Sequence, residues 1–378
     1  MNSNGKSKSS LLRNNAVQTL LASLLSIVLG LLVGYIVLLI INPAGAGQAI
    51  INILKNYFYY PSEVKVKQYF GSTLVKTAPL LMCSLSVLFA YKVGLFNIGA
   101  AGQYVAGAGA ALYCALNLKL PWFVCVVAAL VAGAVLGAVS GMLKAYCNVN
   151  EVISCIMLNW IALYSVNMLL AGVKDSTSPY TIGIGSVNEA GLIPAAGLGV
   201  FFANNKYVTI ALPCSVIMAI LVWVVLEKTK LGYELRATGI NKQAAKYAGM
   251  REKYNIILTM VISGALAGLG AAFFYLTGME QWAVTQTSIP GMGFNGIAAA
   301  FLGGLNPIGT IFSSYFIQHI TSGGSYVDKT LYCSQISDFI SAIIIYLCGF
   351  VFFFKLWINR MLDKRDEKAA KTQKGGEA

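Results

Sequence analysis

The sequence predicts an all-α polytopic membrane protein, and two compositional observations support this. Of its 378 residues, 57% are hydrophobic and only 11% are charged, whereas a water-soluble domain carries roughly 25% charged residues. Several apolar runs also reach about 20 residues, the length of a helix that crosses a bilayer. The mean hydropathy is +0.70. The chain therefore has too little polar sequence to coat a soluble core of this size, which excludes an ordinary soluble enzyme.

The first span is predicted over residues 20–41, after a polar and basic segment that contains Lys6, Lys8 and Arg13. A helix of about 22 residues extends about 33 Å, enough to cross a hydrocarbon core of roughly 30 Å. The run is too long for the apolar region of a signal peptide, and no cleavage site of small residues lies in the right place. We expect this helix to be retained.

Later spans follow the same length criterion, and one apolar region is interrupted. Continuous spans are predicted at residues 72–91, 95–116, 121–143, 152–172, 207–226, 254–277 and 336–357. The region 293–321 is apolar too, but Gly303-Gly304 and Asn306-Pro307 lie in its middle, where glycine and proline interrupt a helix. We expect a broken pair of short helices there, which gives about ten transmembrane helices in total.

Basic residues predict the orientation. The N-terminal tail holds 3 Lys and Arg residues, and the segments 227–253 and 355–374 hold 7 each, out of 27 in the chain. Cytoplasmic loops carry such an excess, so both termini and the loop 227–253 are expected in the cytoplasm. External loops are expected at 42–71, 173–206 and 322–335. The chain then divides into a cytoplasmic tail, a single transmembrane domain and a second cytoplasmic tail: residues 1–15, 16–357 and 358–378.

The sequence indicates no metal, disulfide or catalytic site. The eight cysteines form no CxxC pair and mostly lie in apolar runs, as buried small hydrophobes do. His319 is the only histidine, which argues against a histidine-based metal centre. Glu151, Glu280 and Asp338 lie near predicted helix ends without a catalytic partner set. The net charge of +13 fits cytoplasmic loops and an anionic lipid surface better than nucleic acid.

Two kinds of segment could carry function. Amides at membrane depth are costly and often functional, and they suit a neutral polar solute because they donate and accept hydrogen bonds without charge. The candidates for a substrate pathway, with the aromatic residues beside them, are Phe96, Asn97, Gln103, Asn159, Trp160, Phe294 and Asn295. Hydrogen bonding between helices is the alternative role.

Rows of small residues, such as Gly133, Gly137 and Gly141 or Gly264 and Gly268, predict close helix packing.

The loop 227–253 is the second such segment. Gly239 and Asn241 predict a bend and an N-cap before a short second helix. Such a helix can contact a cytosolic partner, or it can lie solvated on the lipid surface. The residue pattern leaves both readings open.

Four segments of the chain carry recognisable motifs. They read, in chain order, GLFNIGAAGQ at 94–103, NEVI with MLNWIA at 150–162, the loop at 232–249, and GFNGIA with GGLNPIG at 293–309. Together they resemble the permease subunits of ABC importers, in the family that serves branched-chain amino acids, simple sugars and nucleosides. The second segment is similar to the nucleoside branch, which uses a BMP-type binding protein. It departs from that branch at Trp160, where tyrosine is common, and the loop departs at Thr238, where valine is common.

The resemblance implies a division of labour. The chain would be the permease subunit of a bacterial-type plasma membrane importer and not an enzyme, with a related but different chain as second permease. Two cytosolic ABC ATPase domains would hold ATP and magnesium, so this chain needs no cofactor, and an extracellular lipoprotein would deliver the substrate. No phosphate-binding loop is present, since Gly5-Lys6-Ser7 matches only its end. The loop residues matched to ATPase coupling are Gly232, Arg236, Gly239, Asn241, Ala244, Ala245 and Gly249.

Nucleosides are the cargo that the resemblance implies, and a simple sugar such as ribose is the alternative. The alternative from a different class of transport protein is a secondary transporter or facilitator, which works without ATP. A secondary transporter needs a proton or sodium site, and acids at membrane depth are nearly absent. A facilitator would leave the basic loop unexplained. Phe96-Asn97 and Phe294-Asn295, each followed by a glycine- and alanine-rich run, also suggest an internal repeat of the kind that transporters use.

Overall fold

The computed structural model describes residues 15–333 and 335–375, which are mostly helical. The helices are α1 (Asn15–Ile41), α2 (Pro43–Lys55), α3 (Glu63–Lys92), α4 (Ala100–Leu116), α5 (Trp122–Cys147), α6 (Glu151–Leu170), α7 (Ile184–Val187), α8 (Ala211–Lys228), α9 (Lys230–Ile240), α10 (Lys242–Tyr247), α11 (Glu252–Tyr275), α12 (Met292–Leu302), α13 (Pro307–Gly323), α14 (Ile336–Cys348) and α15 (Val351–Gly375). Within the described part of the chain, β-pairing is limited to two isolated bridges. The predicted all-α class is confirmed.

Among the residues that the structure describes, six helices are long and apolar enough to cross a membrane: α1, α3, α5, α6, α8 and α11. Each contains most of one predicted span. The span predicted from residue 95 is shorter than expected, because a turn that includes Gly94, with φ of 77°, precedes the start of α4 at Ala100. The break in the region 293–321 is confirmed, since α12 ends at Leu302 and α13 begins at Pro307.

Two predictions are wrong in detail. Residues 42–71, expected as a loop, contain α2 and the first turns of α3. Asn42 caps α2 through its side chain and Pro43 is the first helical residue, a combination that starts helices. The predicted span 336–357 is interrupted between α14 and α15, where Gly349 weakens the helix.

Helices α5 and α11 form the most extensive helix pair among the described residues. A Cβ atom at Gly133 would collide with the carbonyl oxygen of Gly264, and one at Gly141 would meet the backbone of Ile257. The residue numbers run in opposite directions along the contact, so the two helices are antiparallel. The predicted role of these small residues in close packing is confirmed. The main hydrophobic core joins α3, α4, α5, α6 and α11, and α3 and α11 are the most deeply buried of the long helices.

Candidate functional site

The turn before α4 gathers buried polar side chains from three helices. Asn97 is buried and donates hydrogen bonds to Gln103 Oε1 at 2.7 Å and to Ser263 Oγ at 2.6 Å. Ser263, in α11, donates in turn to the carbonyl oxygen of Ser86 in α3 at 2.7 Å. These bonds tie α3, the start of α4 and α11 together.

Asn159 caps α4 from the neighbouring helix α6. Its Oδ1 accepts a hydrogen bond from the Gly102 N–H at 2.8 Å, and its Nδ2 donates to the carbonyl oxygen of Ile98 at 3.2 Å. The first N–H groups of a helix have no partner within the helix, and α4 has no side-chain cap at its own N-cap residue. A Cβ atom at position 102 would collide with Asn159, so this contact requires glycine there.

The other four predicted pathway residues keep exposed surface near the same turn. Trp160 is 40% exposed and stacks on Tyr164 with ring centroids 6.1 Å apart. On the other side of α4, Gly293 packs against the backbone of Ala101. This contact brings the start of α12, and with it Phe294 and Asn295, to the first turn of α4. Phe294 is 37% exposed, and Asn295 and Phe96 are half-buried.

The buried amides and the exposed side chains therefore differ in what they can do. Asn97 and Asn159 bond to other helices in this conformation, as the alternative role expects, and Gln103 bonds to Asn97. The contact of all three with a cargo stays a prediction. The exposed rings and the Asn295 amide can meet a solute. Sequence reasoning missed Ser86 and Ser263, because a small hydroxyl within an apolar helix gives no periodic signal.

The loop 227–253 begins with a close turn between α8 and α9. Gly232 lies directly on the backbone of Val225 and Leu226, with no room for a Cβ atom. Arg236 then pairs with Glu227 at 3.0 Å, with both side chains about one-third exposed. A pair at this exposure contributes about 0–1 kcal/mol, so it orients α9 more than it stabilises the fold.

Helix α10 is capped at both ends. Asn241 Oδ1 accepts a hydrogen bond from the Ala244 N–H at 3.0 Å. At the other end, Gly249 has φ of 81°, and the Met250 N–H bonds to the carbonyl oxygen of Ala245 at 2.9 Å, the usual glycine termination of a helix. Ala245 is buried beneath the helix and Ala244 is exposed. The N-cap predicted at Asn241 is confirmed.

Gly239 joins this loop to the turn before α4. A Cβ atom at Gly239 would collide with the Val93 carbonyl group, and one at Gly94 would lie 2.8 Å from the Gly239 carbonyl oxygen. The two backbones are thus in direct contact. Beside them, Asn255 of α11 donates to Thr238 Oγ1 at 2.8 Å. The loop is therefore attached to the same turn that carries Asn97.

Two large apolar side chains on the loop point into open space. Ile240 is 87% exposed and Tyr247 is 91% exposed, on either side of the basic residues Lys242 and Lys246. Such side chains at the end of a membrane bundle can bury their surface only against a partner or a lipid surface. Within the described residues, no group of three or more His, Cys, Asp or Glu side chains could hold a metal ion.

Comparison with known proteins places this arrangement in a family. Residues 69–349 match the model of the permease component of branched-chain amino acid transport systems. The chain belongs to this family. It is accordingly a multi-pass protein of a bacterial-type plasma membrane, and a transport component of an ABC transporter.

Several curated permeases resemble the chain along most of its length. The guanosine ABC transporter permease protein NupP of Bacillus subtilis is 31% identical over 86% of this chain and 92% of its own length. The nucleoside ABC transporter permease protein NupB of Lactococcus lactis is 30% identical over 96% and 99%. The glucose ABC transporter permease protein TsgB13 of Haloferax volcanii is 31% identical over 82% and 84%.

The permease family also provides relatives in pairs. A guanosine permease of Bacillus subtilis, NupQ, is 26% identical over 65% of this chain, and a nucleoside permease of Lactococcus lactis, NupC, is 29% identical over 67%. Two similar but different permeases thus occur in each of these organisms. No solved structure matches the chain.

Proposed function

We propose that this permease imports nucleosides, driven by ATP hydrolysis on partner subunits. The observation that carries the proposal is the similarity to NupP and NupB over most of the chain. The exposed chemistry near α4 agrees with such a cargo: aromatic rings can stack on a base, and a neutral amide can bond to it without burying a charge.

The loop 227–253 is, in this proposal, the docking site for a cytosolic ATPase domain. Its exposed Ile240 and Tyr247 offer the apolar anchors that protein interfaces use, and the Gly239 contact attaches the loop to the turn before α4. The importer would contain two ATPase domains, which hold ATP and magnesium, and an extracellular lipoprotein that delivers the cargo. The pairs NupP with NupQ and NupB with NupC favour a different chain as second permease.

We also propose ten membrane passes with both termini in the cytoplasm. The Lys144–Glu151 ion pair, 2.7 Å long, joins the end of α5 to the start of α6, and Lys253 of the loop lies 5.0 Å from the ring centroid of Tyr146 at the same end of α5. The end of α3 meets the loop through Gly94 and Gly239. These ends therefore share the side of the basic loop, which is the cytoplasmic side by the distribution of Lys and Arg. Residues 16–357 would form one permease domain, with tails at 1–15 and 358–378.

The face of α6 is our candidate for the wall of the pathway. The exposed residues of α1 are aliphatic, among them Leu24, Val28, Leu32 and Ile36, as suits a lipid contact. The exposed surface of α6 is mixed: it has aliphatic residues such as Ile153, Ile161 and Leu169, but it also includes Met157, Trp160, Tyr164, Ser165 and Met168. Rings with polar edges, a hydroxyl and thioethers suit a surface that meets a solute or a second permease.

Uptake of labelled guanosine tests the proposal, in cells with and without this gene and with all partner subunits expressed. Excess unlabelled guanosine, uridine, ribose, glucose and leucine serve as competitors. We expect uptake that depends on the gene and on the ATPase subunit, and that only nucleosides inhibit.

A simple sugar is the second candidate, favoured by the similarity to the glucose permease TsgB13. Inhibition by ribose or glucose alone would support it and contradict the nucleoside assignment. Uptake that persists without the ATPase subunit would support a facilitator instead.

A further inference from the structure

The segment 276–291 connects α11 to α12, and one side chain of α6, Asn167, bonds to it at two points. Asn167 Oδ1 accepts a hydrogen bond from the Trp282 indole N–H at 2.9 Å, and Asn167 Nδ2 donates to the Gln286 carbonyl oxygen at 2.8 Å. Trp282 is fully buried, with its ring 5.8 Å from that of Tyr275. The Thr181 N–H also donates to the Trp282 carbonyl oxygen at 2.8 Å. The segment is thus held where it passes α6.

Below this anchor the segment descends along α6 without forming a helix. Gln286 is bonded at the level of Asn167, whereas Gly293 packs on Ala101, next to the Gly102 that Asn159 caps. Asn159 and Asn167 are separated by about 12 Å along the helix axis. The chain between Gln286 and Gly293 covers roughly this depth. Non-helical backbone at membrane depth is tolerated only when it is buried in protein or lines a water-filled cavity.

The side chains of the segment indicate whether its backbone is buried in protein or lines a water-filled cavity. Thr285, Thr287 and Ser288 are exposed, and a row of hydroxyl groups facing lipid would be costly. The adjoining face of α6 exposes Tyr164, which lies about one turn from Asn167. A hydroxyl-rich surface thus continues from the segment onto α6 and towards Trp160.

We propose that Asn167 is a positioning residue, which holds residues 283–291 against α6 so that their hydroxyl groups form the outward mouth of the cargo pathway. A neutral, hydroxylated solute would meet Thr285, Thr287 and Ser288 before it reaches Trp160. The cargo in this inference rests on the proposed transport function. The anchoring does not, since it can be measured without any cargo.

Thiol labelling tests the anchoring. Thr287→Cys is introduced into a background with Cys333→Ser, because Cys333 is exposed, and intact cells are treated with a charged, membrane-impermeant methanethiosulfonate. We expect labelling from outside, slowed by excess guanosine. Asn167→Leu and Trp282→Phe should each change the labelling rate about tenfold, the effect of losing one or two buried hydrogen bonds.

Asn188→Leu is the matched control. Asn188 donates to the carbonyl oxygens of Ala115 and Leu120 at 3.0 and 2.9 Å. The substitution therefore removes comparable hydrogen bonds from another loop and should leave the labelling rate unchanged. In uptake, Asn167→Leu should raise KM for guanosine more than it lowers the maximal rate. If Asn167→Leu fails to accumulate, Trp282→Phe decides, since it keeps a buried aromatic ring and removes the N–H donor together with part of the indole volume.

An unreactive Thr287→Cys would overturn the proposal, and so would equal labelling rates with and without the Asn167–Trp282 bond. Labelling that depends on Asn167 but is not slowed by guanosine would support the anchor and count against the nucleoside cargo.

Discussion

Gly239→Ala tests whether the loop drives transport through the turn before α4. The added methyl group would collide with the Val93 carbonyl group. Carbon and oxygen atoms pack at about 3.5–4.0 Å, so the loop and the turn must separate by roughly 1 Å or more. The substitution thus lengthens one contact and removes no hydrogen-bonding group.

The expected magnitude follows from this displacement. Overpacking by one methyl group costs about 1–3 kcal/mol, which a bundle of this size tolerates. We assume that the loop and the turn touch in the conformation that links ATP hydrolysis to transport. A strain of this size in that conformation lowers its population, and with it the rate of ATP-driven transport, about 5- to 150-fold. We therefore expect protein that inserts at a normal level but transports poorly.

The assay compares uptake of labelled guanosine with ATP hydrolysis by the purified complex in lipid nanodiscs. Gly239→Ala should retain basal ATP hydrolysis and lose stimulation by cargo, and uptake should fall at least about fivefold. Gly172→Ala is the matched control, because a Cβ atom there meets nothing within 4 Å. Wild-type uptake by Gly239→Ala, at wild-type expression, would refute the reasoning.

Three further substitutions test other parts of the structure. Ala244→Pro removes the N–H that bonds to Asn241, so uptake should be lost at normal expression, and normal uptake would contradict a role for α10. Asn97→Leu leaves Gln103 without its buried partner at a cost of about 1–3 kcal/mol, so membrane protein level and uptake should fall together. Loss of uptake alone would instead favour contact with the cargo. Gly137→Leu forces α5 away from α11 and should prevent a monodisperse protein in detergent, which size-exclusion chromatography would detect.

The sequence predicted long apolar helices well and short ones poorly. The spans 121–143 and 254–277 correspond closely to α5 and α11, since length and hydropathy suffice for them. Helix α3 begins at Glu63, well before the predicted residue 72, because its first turns carry Lys65 and Lys67 and do not resemble a span. Helix α2 was missed for a different reason: it is too short to span a membrane, and its N-cap residue Asn42 is equally typical of a turn.

The sequence named candidate site residues but not their orientation. The structure brings Asn97, Asn159 and Phe294 to the start of α4, and their contact with a cargo stays a prediction. Which side chain faces the interior depends on the rotation of α6 against α4, and that rotation is set by Gly102, where only the absence of a Cβ atom admits Asn159. A hydropathy pattern carries no information about such a contact. The role of Asn167 was invisible for a similar reason, because its partners lie more than 100 residues away.

The first turn of α4 is the point where the two candidate sites share structure. Gly239 of the loop touches Val93 and Gly94, which begin the turn that carries Asn97 and ends in α4. The same turn of α4 is capped by α6 and covered by α12, the helices that expose Trp160 and Phe294. A displacement at the loop therefore reaches the exposed aromatic residues through one shared element and its packed neighbours. Because Gly94 has positive φ and meets the Gly239 carbonyl oxygen, that element has little freedom to absorb the movement locally. Motion of the loop should accordingly shift α4 as a unit against α6 and α12.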